Sequence, residues 1–463
     1  MHMPAQDNPA VIVARFLKAN NYDQSYEAFV TESGLPPDVG TCSKGDLTLE
    51  TLLEEKRAFD LSVKFEKLGS EDESARGWHE PAPSVANHIT TSASSTNILT
   101  VSADTIFDTS GEEYQGLFIT TADRRLHILD AATHVLKRSL AGLQDSPILS
   151  TAIFRQRFLL TSAMSGQLLA SDLRGHTLDR RRDHSKYVVK VAVHDDPAQP
   201  LIATAGWDCK INLYRPVINT SGITFGEPFA TITLQTKPES MLFTVHPEAK
   251  QPLLLVSRTD SSFLYYYTVD NEPRLLGQQN LAPHSNAWVA FTPSAVAVCP
   301  TDPGVVAVGT GSVPHMKLLV VRLLVPPYEA PSRPSTLSRL RSSLLDDEPT
   351  ATETQASQAR AALAIADKED AAIRIHCTTM SPQTPYSTPA VAWRPDGTGV
   401  WVNGDDGLVR GIDAVTGKVS GTLQEGGHEV GTKVRCLWAG EVGGQEVCVS
   451  GGFDHRVVFW KTK

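Results

Sequence analysis

Two sets of residues combine the imidazole, hydroxyl and carboxylate groups that nucleophilic hydrolases use for catalysis. The first set lies near the C-terminus and ends on a tryptophan: His428, Ser450, Asp454 and Trp460. The second set has the same offsets from hydroxyl to carboxylate to aromatic residue: His184, Thr204, Asp208 and Tyr214. Taken alone, His428, Ser450 and Asp454 have the group types of a Ser-His-Asp triad. The matching spacing of the two indicates that they belong to a sequence repeat.

No other pattern in the sequence points to catalysis, to a cofactor or to a metal. The GxSxG, HExxH, Walker and kinase signatures are absent, and Gly309-Thr310-Gly311 lacks the third glycine of a nucleotide-binding loop. The cysteines are scattered without a CxxC pair, which argues against zinc and disulfides and for a reducing compartment. They are Cys42, Cys209, Cys299, Cys377, Cys436 and Cys448. We therefore predict no catalytic, cofactor-binding or metal-binding residues.

From about residue 90 onward, short β-type runs alternate with turn residues, and both sets fall within that pattern. The C-terminal copy is the clearest, and a second copy runs from His184 to Tyr214. A third copy has Asp406 in the turn and Ile412-Asp413 in the place of Trp-Asp. Four weaker copies centre on LFITTADRRLHILD, LLTSAMSGQLLASD, LLLVSRTDSSFLYYY and GVVAVGTGSVPHMKLLVVRLL.

These segments resemble WD repeats, and the resemblance covers nearly all of residues 90–463. In that family the His, Ser or Thr, Asp and Trp of a repeat form a hydrogen-bonded chain, because a buried carboxylate needs donors. By this resemblance the C-terminal set is complete, and the second set is complete if the Tyr214 hydroxyl replaces the indole N–H. The resemblance implies that these side chains are buried between blades and closed to substrate. It also implies that the other repeats, which lack members, rely on apolar packing.

Seven copies predict a mainly β fold, a seven-bladed WD-repeat β-propeller over residues 87–463. Once an insertion is removed, each blade has about 47 residues, close to the usual repeat length. The chain ends straight after the third strand of the last blade. We therefore expect residues 88–95 to supply the fourth strand, which closes the ring and covers its edges.

An insertion in the fifth repeat, residues 328–372, is dominated at its start by Ser, Pro, Thr and charged residues. Such a composition predicts a disordered surface loop. Leu337, Leu340 and Leu344 fall on one helical face, so the alternative is a short helix that binds a partner or is phosphorylated.

Two amphipathic helices are predicted within residues 8–36, ahead of the repeats. Asn20-Asn21 separates them, and Gly34 with Pro36 ends the second. The segment resembles the LisH motif, with Asn21 where that family usually has glycine, and the matching positions include Val13, Phe16, Leu17, Tyr22, Tyr26 and Phe29. The resemblance implies homodimerisation through these side chains, since two such short helices are marginal alone. The alternative is a helical hairpin packed on its own propeller.

Residues 45–69 are predicted to form a further helix or a short coiled coil, because apolar residues keep a near-heptad spacing that Lys56 interrupts. These residues are Leu49, Leu52, Phe59 and Val63. In the lissencephaly-protein family a LisH motif is likewise followed by a Leu-Leu-Glu-x-Lys helix, and residues 52–56 are similar to it. Residues 70–86, polar and with prolines, are predicted to be a linker.

The composition limits the partners that the protein can have. The 463-residue chain has a formal net charge of −10, so no direct nucleic-acid binding is expected. Two short basic runs, residues 180–182 and 333–341, are interpreted as solvated loop charge. The sequence has no uninterrupted apolar stretch of about 18 residues, so membrane insertion is not expected. The N-terminus lacks the pattern of a secretory signal. We expect a cytoplasmic or nuclear protein, or one found in both compartments.

These observations favour a non-catalytic, dimeric scaffold or adaptor that binds proteins or peptides on its propeller surfaces within a larger intracellular complex. LisH–propeller proteins serve in dynein regulation, corepressor complexes, ubiquitin ligases and RNA processing, and the sequence does not choose among these roles. One alternative is a dedicated binding chaperone for a single client protein. Another is a propeller enzyme or small-ligand receptor that uses the central channel.

Overall fold

Seven four-stranded antiparallel sheets make up most of the chain that the structure describes. The structure is a computed structural model, and it describes residues 8–42, 48–53, 77–89, 96–107, 111–219, 222–283, 291–328 and 355–463. The chain divides into two units, which are described separately: one contains the N-terminal helices and the other contains all of the strands.

The first strand along the chain, β1 (Val85–Ile89), belongs to the last blade, and the other strands follow in sequence order. The first blade contains β2 (Ile98–Phe107), β3 (Glu113–Thr121), β4 (Arg125–Asp130) and β5 (Leu136–Ala141). The second contains β6 (Ile148–Phe154), β7 (Phe158–Ala163), β8 (Leu168–Asp172) and β9 (Thr177–Arg181). The third contains β10 (Val188–His194), β11 (Leu201–Gly206), β12 (Lys210–Tyr214) and β15 (Ala230–Thr233), with a two-stranded ribbon, β13 (Val217–Asn219) and β14 (Gly222–Thr224), between its last two strands.

The remaining four blades follow the same order from the inner strand outward. The fourth contains β16 (Pro238–Val245), β17 (Pro252–Arg258), β18 (Phe263–Thr268) and β19 (Leu275–Asn280). The fifth contains β20 (Pro293–Val298), β21 (Val305–Thr310), β22 (His315–Arg322) and β23 (Ile373–Pro382). The sixth contains β24 (Val391–Trp393), β25 (Gly399–Asn403), β26 (Val409–Asp413) and β27 (Val419–Leu423). The seventh contains β28 (Val434–Val442), β29 (Gln445–Gly452), β30 (Val457–Lys461) and β1.

The first strands of the seven sheets form a closed ring. Each contacts the first strand of the next sheet, and β28 contacts β2. Seven apolar clusters hold the ring, one at each boundary between neighbouring blades. Because both faces of a blade are covered, middle strands such as β7 and β11 are buried along their whole length, as in sheets packed on both sides. The seven-bladed propeller is therefore as predicted.

The seventh blade is completed by β1, which pairs antiparallel with β30 from Val85 opposite Lys461 to Ile89 opposite Val457. This strand begins earlier than the predicted residue 88, and residues 90–95 lie outside the described part. The reason is packing. Ile89 is buried in the cluster between the seventh and first blades, and this burial fixes the strand against its neighbours.

The predicted linker, residues 70–86, is wrong over its described part. Residues 77–82 pack on the sixth blade, and Trp78 is buried in the cluster between the sixth and seventh blades. Burial of a large indole outweighs the polar and proline-containing composition that suggested a linker. The propeller unit therefore begins at or before Gly77 rather than at residue 87.

The insertion in the fifth blade also differs from the prediction of a disordered loop. Residues Gln355–Ala372 form helix α3, which leads directly into β23. Near its end Glu369 is buried, and its Oε1 accepts a hydrogen bond from the Asn280 backbone N–H. The leucines at 337, 340 and 344 lie outside the described residues. The alanine-rich stretch has a strong intrinsic helix preference, which the Ser- and Pro-rich first half of the insertion obscured.

The N-terminal unit contains a helical hairpin, α1 (Pro9–Ala19) and α2 (Asp23–Ser33). Asn8 caps α1 by accepting from the Ala10 N–H, and Gly34 ends α2 in the left-handed conformation. Asn21 has a φ of 59°, a conformation that asparagine tolerates better than most residues. Of the predicted helix at 45–69, only residues 48–53 are described, and they contain a short helical segment.

The hairpin has its own small core, which already uses part of the predicted dimerisation set. Ala14, Tyr26 and Val30 are buried together, and Leu17 and Phe29 pack against them. The Tyr26 hydroxyl donates to the Pro37 carbonyl and accepts from the Gly40 N–H. Tyr26 is therefore committed within one chain, whereas Val13 and Tyr22 remain exposed. None of the described helices is long and apolar enough to cross a membrane.

Candidate functional site

The C-terminal set of residues forms a hydrogen-bonded chain inside the seventh blade. An indole N–H can only donate, so the Trp460 Nε1–H donates to Ser450 Oγ (2.9 Å). The Ser450 hydroxyl then donates to His428 Nε2 (2.8 Å), and the His428 Nδ1–H donates to the Asp454 carboxylate (3.0 Å). The Glu429 backbone N–H donates to the same carboxylate (3.0 Å). The Asp454 carboxylate, which can only accept, requires the proton of a neutral imidazole to be on Nδ1, so Nε2 is the acceptor for the Ser450 hydroxyl.

This chain has the group types of a catalytic triad but not the access. The side chains of His428 and Asp454 are fully buried, and Ser450 is buried with them. A nucleophile must reach a substrate carbonyl, and the Ser450 oxygen instead faces Trp460 and His428. Burial alone raises the pKa of Asp454, but hydrogen bonds from His428, Glu429 and Arg456 bring it below its usual value. The arrangement stabilises the blade rather than performing hydrolysis.

The third blade contains a second chain with one difference. His184 Nε2 lies 2.9 Å from Thr204 Oγ1, and His184 Nδ1 lies 2.9 Å from Asp208 Oδ1. The Tyr214 hydroxyl, unlike the indole of Trp460, donates to Asp183 Oδ2 (3.0 Å). Burial, followed by the charge of Asp183, raises the pKa of Tyr214, while hydrogen bonding by Thr204 lowers it. In the third blade Tyr214 therefore adds Asp183 to the network. In the seventh blade the indole of Trp460 is the last group of the chain.

The prediction that the other repeats rely on apolar packing holds for the fourth blade and is wrong for the second. In the second blade the Gln144 amide N–H donates to Thr161 Oγ1 (2.9 Å). Gln144 precedes its inner strand at the same distance as His184 precedes β10. In the fourth blade Leu234 and Val256 take the places of His184 and Thr204 and pack in one apolar cluster. A glutamine amide or an aliphatic pair can thus replace the histidine–hydroxyl bond.

The networks fix the turns at one end of the propeller, which we call the upper face. It is the end where the inner strands begin, and the opposite end is the lower face. In the third blade the Trp207 N–H donates to the Tyr187 carbonyl, and in the seventh the Phe453 N–H donates to the Lys433 carbonyl (2.9 Å each). Each bond ties a hairpin turn to the loop before an inner strand. The upper face is therefore a set of rigid loops, which suits recognition.

Six of the seven inner strands have a register shift near their first residue, next to the upper face. Such bulges re-aim a side chain and are common beside binding and catalytic sites. The residues that the ladder skips are Leu99, Leu149, Val189, Glu239, Ser294 and Arg435. This ring of mixed polarity surrounds the start of the central channel.

Exposed aromatic side chains of the propeller concentrate on the upper face. Tyr187 and Trp207 are each 38% exposed, Phe453 is also 38% exposed, and Tyr386 is 90% exposed. On the lower face of the described propeller, Phe107 is the one aromatic residue in this class, and the other exposed apolar residues are aliphatic. Aromatic residues are enriched where proteins bind each other. The upper face is therefore the candidate binding surface.

Comparison with known proteins agrees with this geometry. A family described as a beta-propeller domain matches residues 82–461. The chain belongs to this β-propeller domain family. WD repeat-containing protein 55 of Mus musculus is 31% identical over 106 residues, 22% of this chain and 26% of the relative. The Rattus norvegicus and Homo sapiens proteins of that name are 30% and 28% identical over the same length, 27% of each relative. The chain spans about a quarter of the length of the curated relatives it matches.

The match to the β-propeller domain family begins at residue 82, so it bears on the strands and not on the N-terminal helices. It supports the WD-repeat interpretation of the propeller. Among the residues that the structure describes, no group of three or more His, Cys, Asp or Glu side chains is placed to hold a metal ion. The six cysteines, all within the described ranges, are free thiols.

The propeller's basic run at residues 180–182 is largely neutralised by neighbouring carboxylates. Arg181 donates to Asp183 (2.7 Å) and to Glu227 (2.8 Å), and Arg182 lies 3.3 Å from Asp145. The interpretation as loop charge is wrong for Arg180 and Arg181, which lie in β9, and the Arg181 side chain is only 20% exposed because it packs beside its carboxylate partners. The second run, residues 333–341, lies outside the described part of the chain.

The sequence missed the residues that make the upper face a candidate site. Trp207 directly precedes Asp208 of the network, and Tyr187 directly precedes the inner strand β10. Both positions recur in the other blades, where they hold different residue types. Alignment of the seven turns would have placed Trp207, Phe453 and their loop partners on one face. Their exposure follows only from the folded ring.

Glu239, the skipped residue of β16, is a carboxyl group of the upper face whose pKa is raised toward neutral pH. Burial raises its pKa from the usual 4.5 to about 7, with a smaller increase from Asp260 and a decrease from Lys237. The folded protein thus holds a proton that the unfolded chain releases. Stability therefore falls as pH rises from about 4.5 to about 7.

Replacing Glu239 with glutamine is expected to stabilise the protein more at pH 8 than at pH 5. At pH 8 the wild type must keep a partly buried carboxylate ionised, and glutamine removes that cost. At pH 5 the carboxyl group is mostly protonated in the folded protein, so its replacement changes less. Urea unfolding at both pH values, followed by circular dichroism, measures this difference. The exposed Glu272→Gln is the matched control. A Glu239→Gln effect that does not depend on pH would contradict the assignment.

Proposed function

We propose that this chain is a dimeric, non-catalytic scaffold whose propeller binds proteins or peptides through its upper face. The observation that carries the proposal is the set of exposed aromatic residues on rigid loops at that face: Tyr187, Trp207, Tyr386 and Phe453. Rigid aromatic anchors contribute most of the affinity at protein interfaces, because they bury a large area at low entropic cost. The burial of both His–Asp pairs supports a binding role over a catalytic one.

The dimeric part of the proposal rests on the N-terminal hairpin. Val13 is 37% exposed and Tyr22 is 53% exposed, although both are apolar or aromatic residues of an amphipathic pair. The Phe16 ring lies 6.3 Å from the Tyr22 ring and extends this surface. Two helices of 11 residues bury little area, and a second copy would cover the exposed side.

A variant with aspartate at both Val13 and Tyr22 is expected to convert a dimeric wild-type protein to a monomer, because it places two unpaired charges in an apolar interface. Sedimentation velocity of the full chain measures this change. Gln24→Asp, which adds a charge at an exposed polar position of α2, is the control and should stay dimeric. A wild-type chain that is monomeric at micromolar concentration would exclude self-association and favour the alternative of a hairpin without a second copy.

The scaffold function is tested by affinity capture with the full chain from native-type extract, followed by cross-linking mass spectrometry. We expect a discrete set of proteins cross-linked to upper-face lysines, and weaker recovery with the monomeric double variant because avidity is lost. A shortened chain that lacks the N-terminal helices is not used for this comparison if it starts at Ser84, because it would also lose the segment around Trp78, which packs in the propeller core. Cross-links confined to the lower face would contradict the choice of face, and the absence of any stoichiometric partner would contradict the scaffold function.

A further inference from the structure

We propose that one part of the upper face, at the junction of the third and fourth blades, binds an acidic peptide segment that carries an aromatic or large apolar anchor residue. We call this part the aromatic–lysine patch; it consists of Lys186, Tyr187, Lys190, Trp207 and Lys237. The inference rests on the proposed function and specifies the chemistry of the partner.

The aromatic half of the patch is a stacked pair. The rings of Tyr187 and Trp207 lie 5.0 Å apart with an interplanar angle of 26°. Lys237 Nζ lies 4.9 Å from the Trp207 ring centroid. Both aromatic residues stay more than one-third exposed despite these contacts. An incoming aromatic or large apolar side chain can pack on the exposed parts of this pair, since ring contacts add to area burial.

The three lysines distinguish this patch from the rest of the upper face. The side chains of Lys186, Lys190 and Lys237 are exposed and form no ion pair with any residue that the structure describes, and the dense surroundings of Lys190 lower its pKa from the usual 10.5. At the sixth and seventh blades three cations of the same face are paired: Lys433 with Asp405 (2.9 Å), Arg410 with Asp406 (2.6 Å) and Arg456 with Glu429 (2.9 Å). In a chain of net charge −10, three unpaired lysines beside an aromatic stack favour an acidic partner.

The carboxylates around the patch do not cancel its charge. Asp208 is held by His184 and the Ser185 N–H, and Asp183 is held by Arg181 and Tyr214. Glu239 is partly protonated near neutral pH, for the reasons given above. Among the acidic residues named for this region, Asp260 remains as an exposed carboxylate. The patch is therefore positive at the position where the stack is exposed.

The patch is also preorganised. Asp208 directly follows Trp207 and is fixed by the network, and Cys209 closes the turn with a φ of 62°. The Trp207 N–H donates to the Tyr187 carbonyl, so the two loops cannot separate independently. A partner therefore does not have to order these loops on binding, which lowers the entropic cost.

An acidic peptide fits the patch better than a nucleic acid does. Three lysines are few for a groove that follows a phosphate backbone, where many contacts are needed for affinity at physiological salt. The stack is a pair at one place rather than a series of separated platforms for successive bases. A short segment with a single anchor residue matches both the number of lysines and the size of the stack.

The test is selection of a random dodecapeptide phage library on the immobilised full chain, followed by synthesis of the enriched peptides. We expect peptides with net negative charge and one aromatic or large apolar residue. Fluorescence polarisation should give a Kd at least about tenfold weaker for Trp207→Ala and for the charge reversal Lys237→Glu. Phe107→Ala is the matched control, because Phe107 is an aromatic side chain of similar exposure on the lower face, and the Kd of this variant should change less than about twofold.

Three outcomes would overturn the inference. They are enriched peptides without net negative charge, enriched peptides that bind Trp207→Ala and Lys237→Glu as tightly as the wild type, and a thymidine oligonucleotide that competes at the patch more strongly than the peptides. If peptides depend on Phe453 or Tyr386 instead, the patch assignment fails while the upper face remains a binding surface. If cross-linked partners are recovered from extract but no acidic peptide is enriched, the scaffold function stands and the partner chemistry proposed here is wrong.

Discussion

Replacing Trp78 with alanine is expected to lower the free energy of unfolding by about 3–5 kcal/mol, the range for removing a buried tryptophan side chain. Trp78 is 8% exposed and lies in the cluster between the sixth and seventh blades. Its ring packs edge-to-face on Trp401, with centroids 5.0 Å apart and an interplanar angle of 79°. A void of this size at a blade boundary cannot be filled without moving strands that neighbours hold in place.

Three glycines make the slot for this indole. Gly399, Gly411 and Gly421 lie on β25, β26 and β27, and a Cβ at Gly399 or Gly411 would overlap the Trp78 ring. A Cβ at Gly421 would lie 3.1 Å from it. Gly411→Ala is therefore expected to destabilise the propeller by displacing the same side chain from the other direction. Agreement between the two variants would show that the loss comes from the slot and not from the loop that carries Trp78.

Polar contacts hold the segment around Trp78 in place. The Trp78 N–H donates to Asp413 Oδ2 (3.1 Å), and the indole N–H donates to Glu80 Oε1 (3.1 Å). The Arg394 guanidinium lies 4.4 Å from the ring centroid and is paired with Glu446 of the seventh blade (2.6 Å). Arg394 also donates to the His79 carbonyl (2.7 Å). Because Arg394 joins the sixth blade to the seventh, loss of Trp78 should weaken ring closure as well as local packing.

Urea unfolding followed by far-ultraviolet circular dichroism measures the effect of Trp78→Ala without relying on tryptophan fluorescence. Trp207→Ala is the control of equal chemistry, because Trp207 is 38% exposed and should cost less than about 1 kcal/mol. Equal losses from the two variants would mean that the segment around Trp78 contributes no more than an exposed surface residue.

The sequence was informative where the cause of structure is local or repeated. The number of blades follows from the recurring turns, and the residues of both buried networks follow from their fixed offsets in the third and seventh blades. The helical hairpin was also predictable, because Asn21 and Gly34 provide its turn and its end. Each of these features is decided within about one repeat length of chain.

The sequence was less informative where contacts join distant segments. Trp78 meets Asp413 across 335 positions, and nothing near Trp78 distinguishes a packed segment from a linker. Glycine within a strand can mark a close approach of another group, but the sequence around Gly399, Gly411 and Gly421 does not indicate which side chain packs there. The exposed pair of Tyr187 and Trp207 depends likewise on two loops that the ring brings together. Pairing of Tyr214 with Asp183, in place of an indole N–H, depends on side-chain length in the folded blade.

Replacing Asp454 with alanine is expected to lower the free energy of unfolding by about 1–3 kcal/mol, the cost of one unsatisfied buried donor. The change leaves the His428 Nδ1–H without an acceptor where that side chain is fully buried, and it removes the acceptor of the Glu429 N–H at a more exposed position. Each unsatisfied buried donor costs about 1–3 kcal/mol. The dimerisation proposed for the N-terminal hairpin should not change, so sedimentation velocity of the variant tests whether the loss is confined to the propeller.

The loss caused by Asp454→Ala should depend on pH. Hydrogen bonds from His428 and the backbone overcome the effect of burial and hold the pKa of Asp454 below the usual 3.8. The stability that the carboxylate contributes is therefore present above that value and is lost as the pH falls through the lower folded pKa. The difference in unfolding free energy between the wild type and the variant should accordingly be full at neutral pH and shrink below about pH 4.

Asp406→Ala is the matched control, because Asp406 holds the corresponding turn position in the sixth blade but pairs with Arg410 near the surface, with a quarter of its side chain exposed. A pair of this kind contributes no more than about 1 kcal/mol. If Asp454→Ala cost no more than Asp406→Ala, the buried network would not be a source of blade stability. The geometry that the third and seventh blades share would then be explained by the upper-face loops that Asp208 and Asp454 fix. The two variants would in that case change peptide binding rather than the free energy of unfolding.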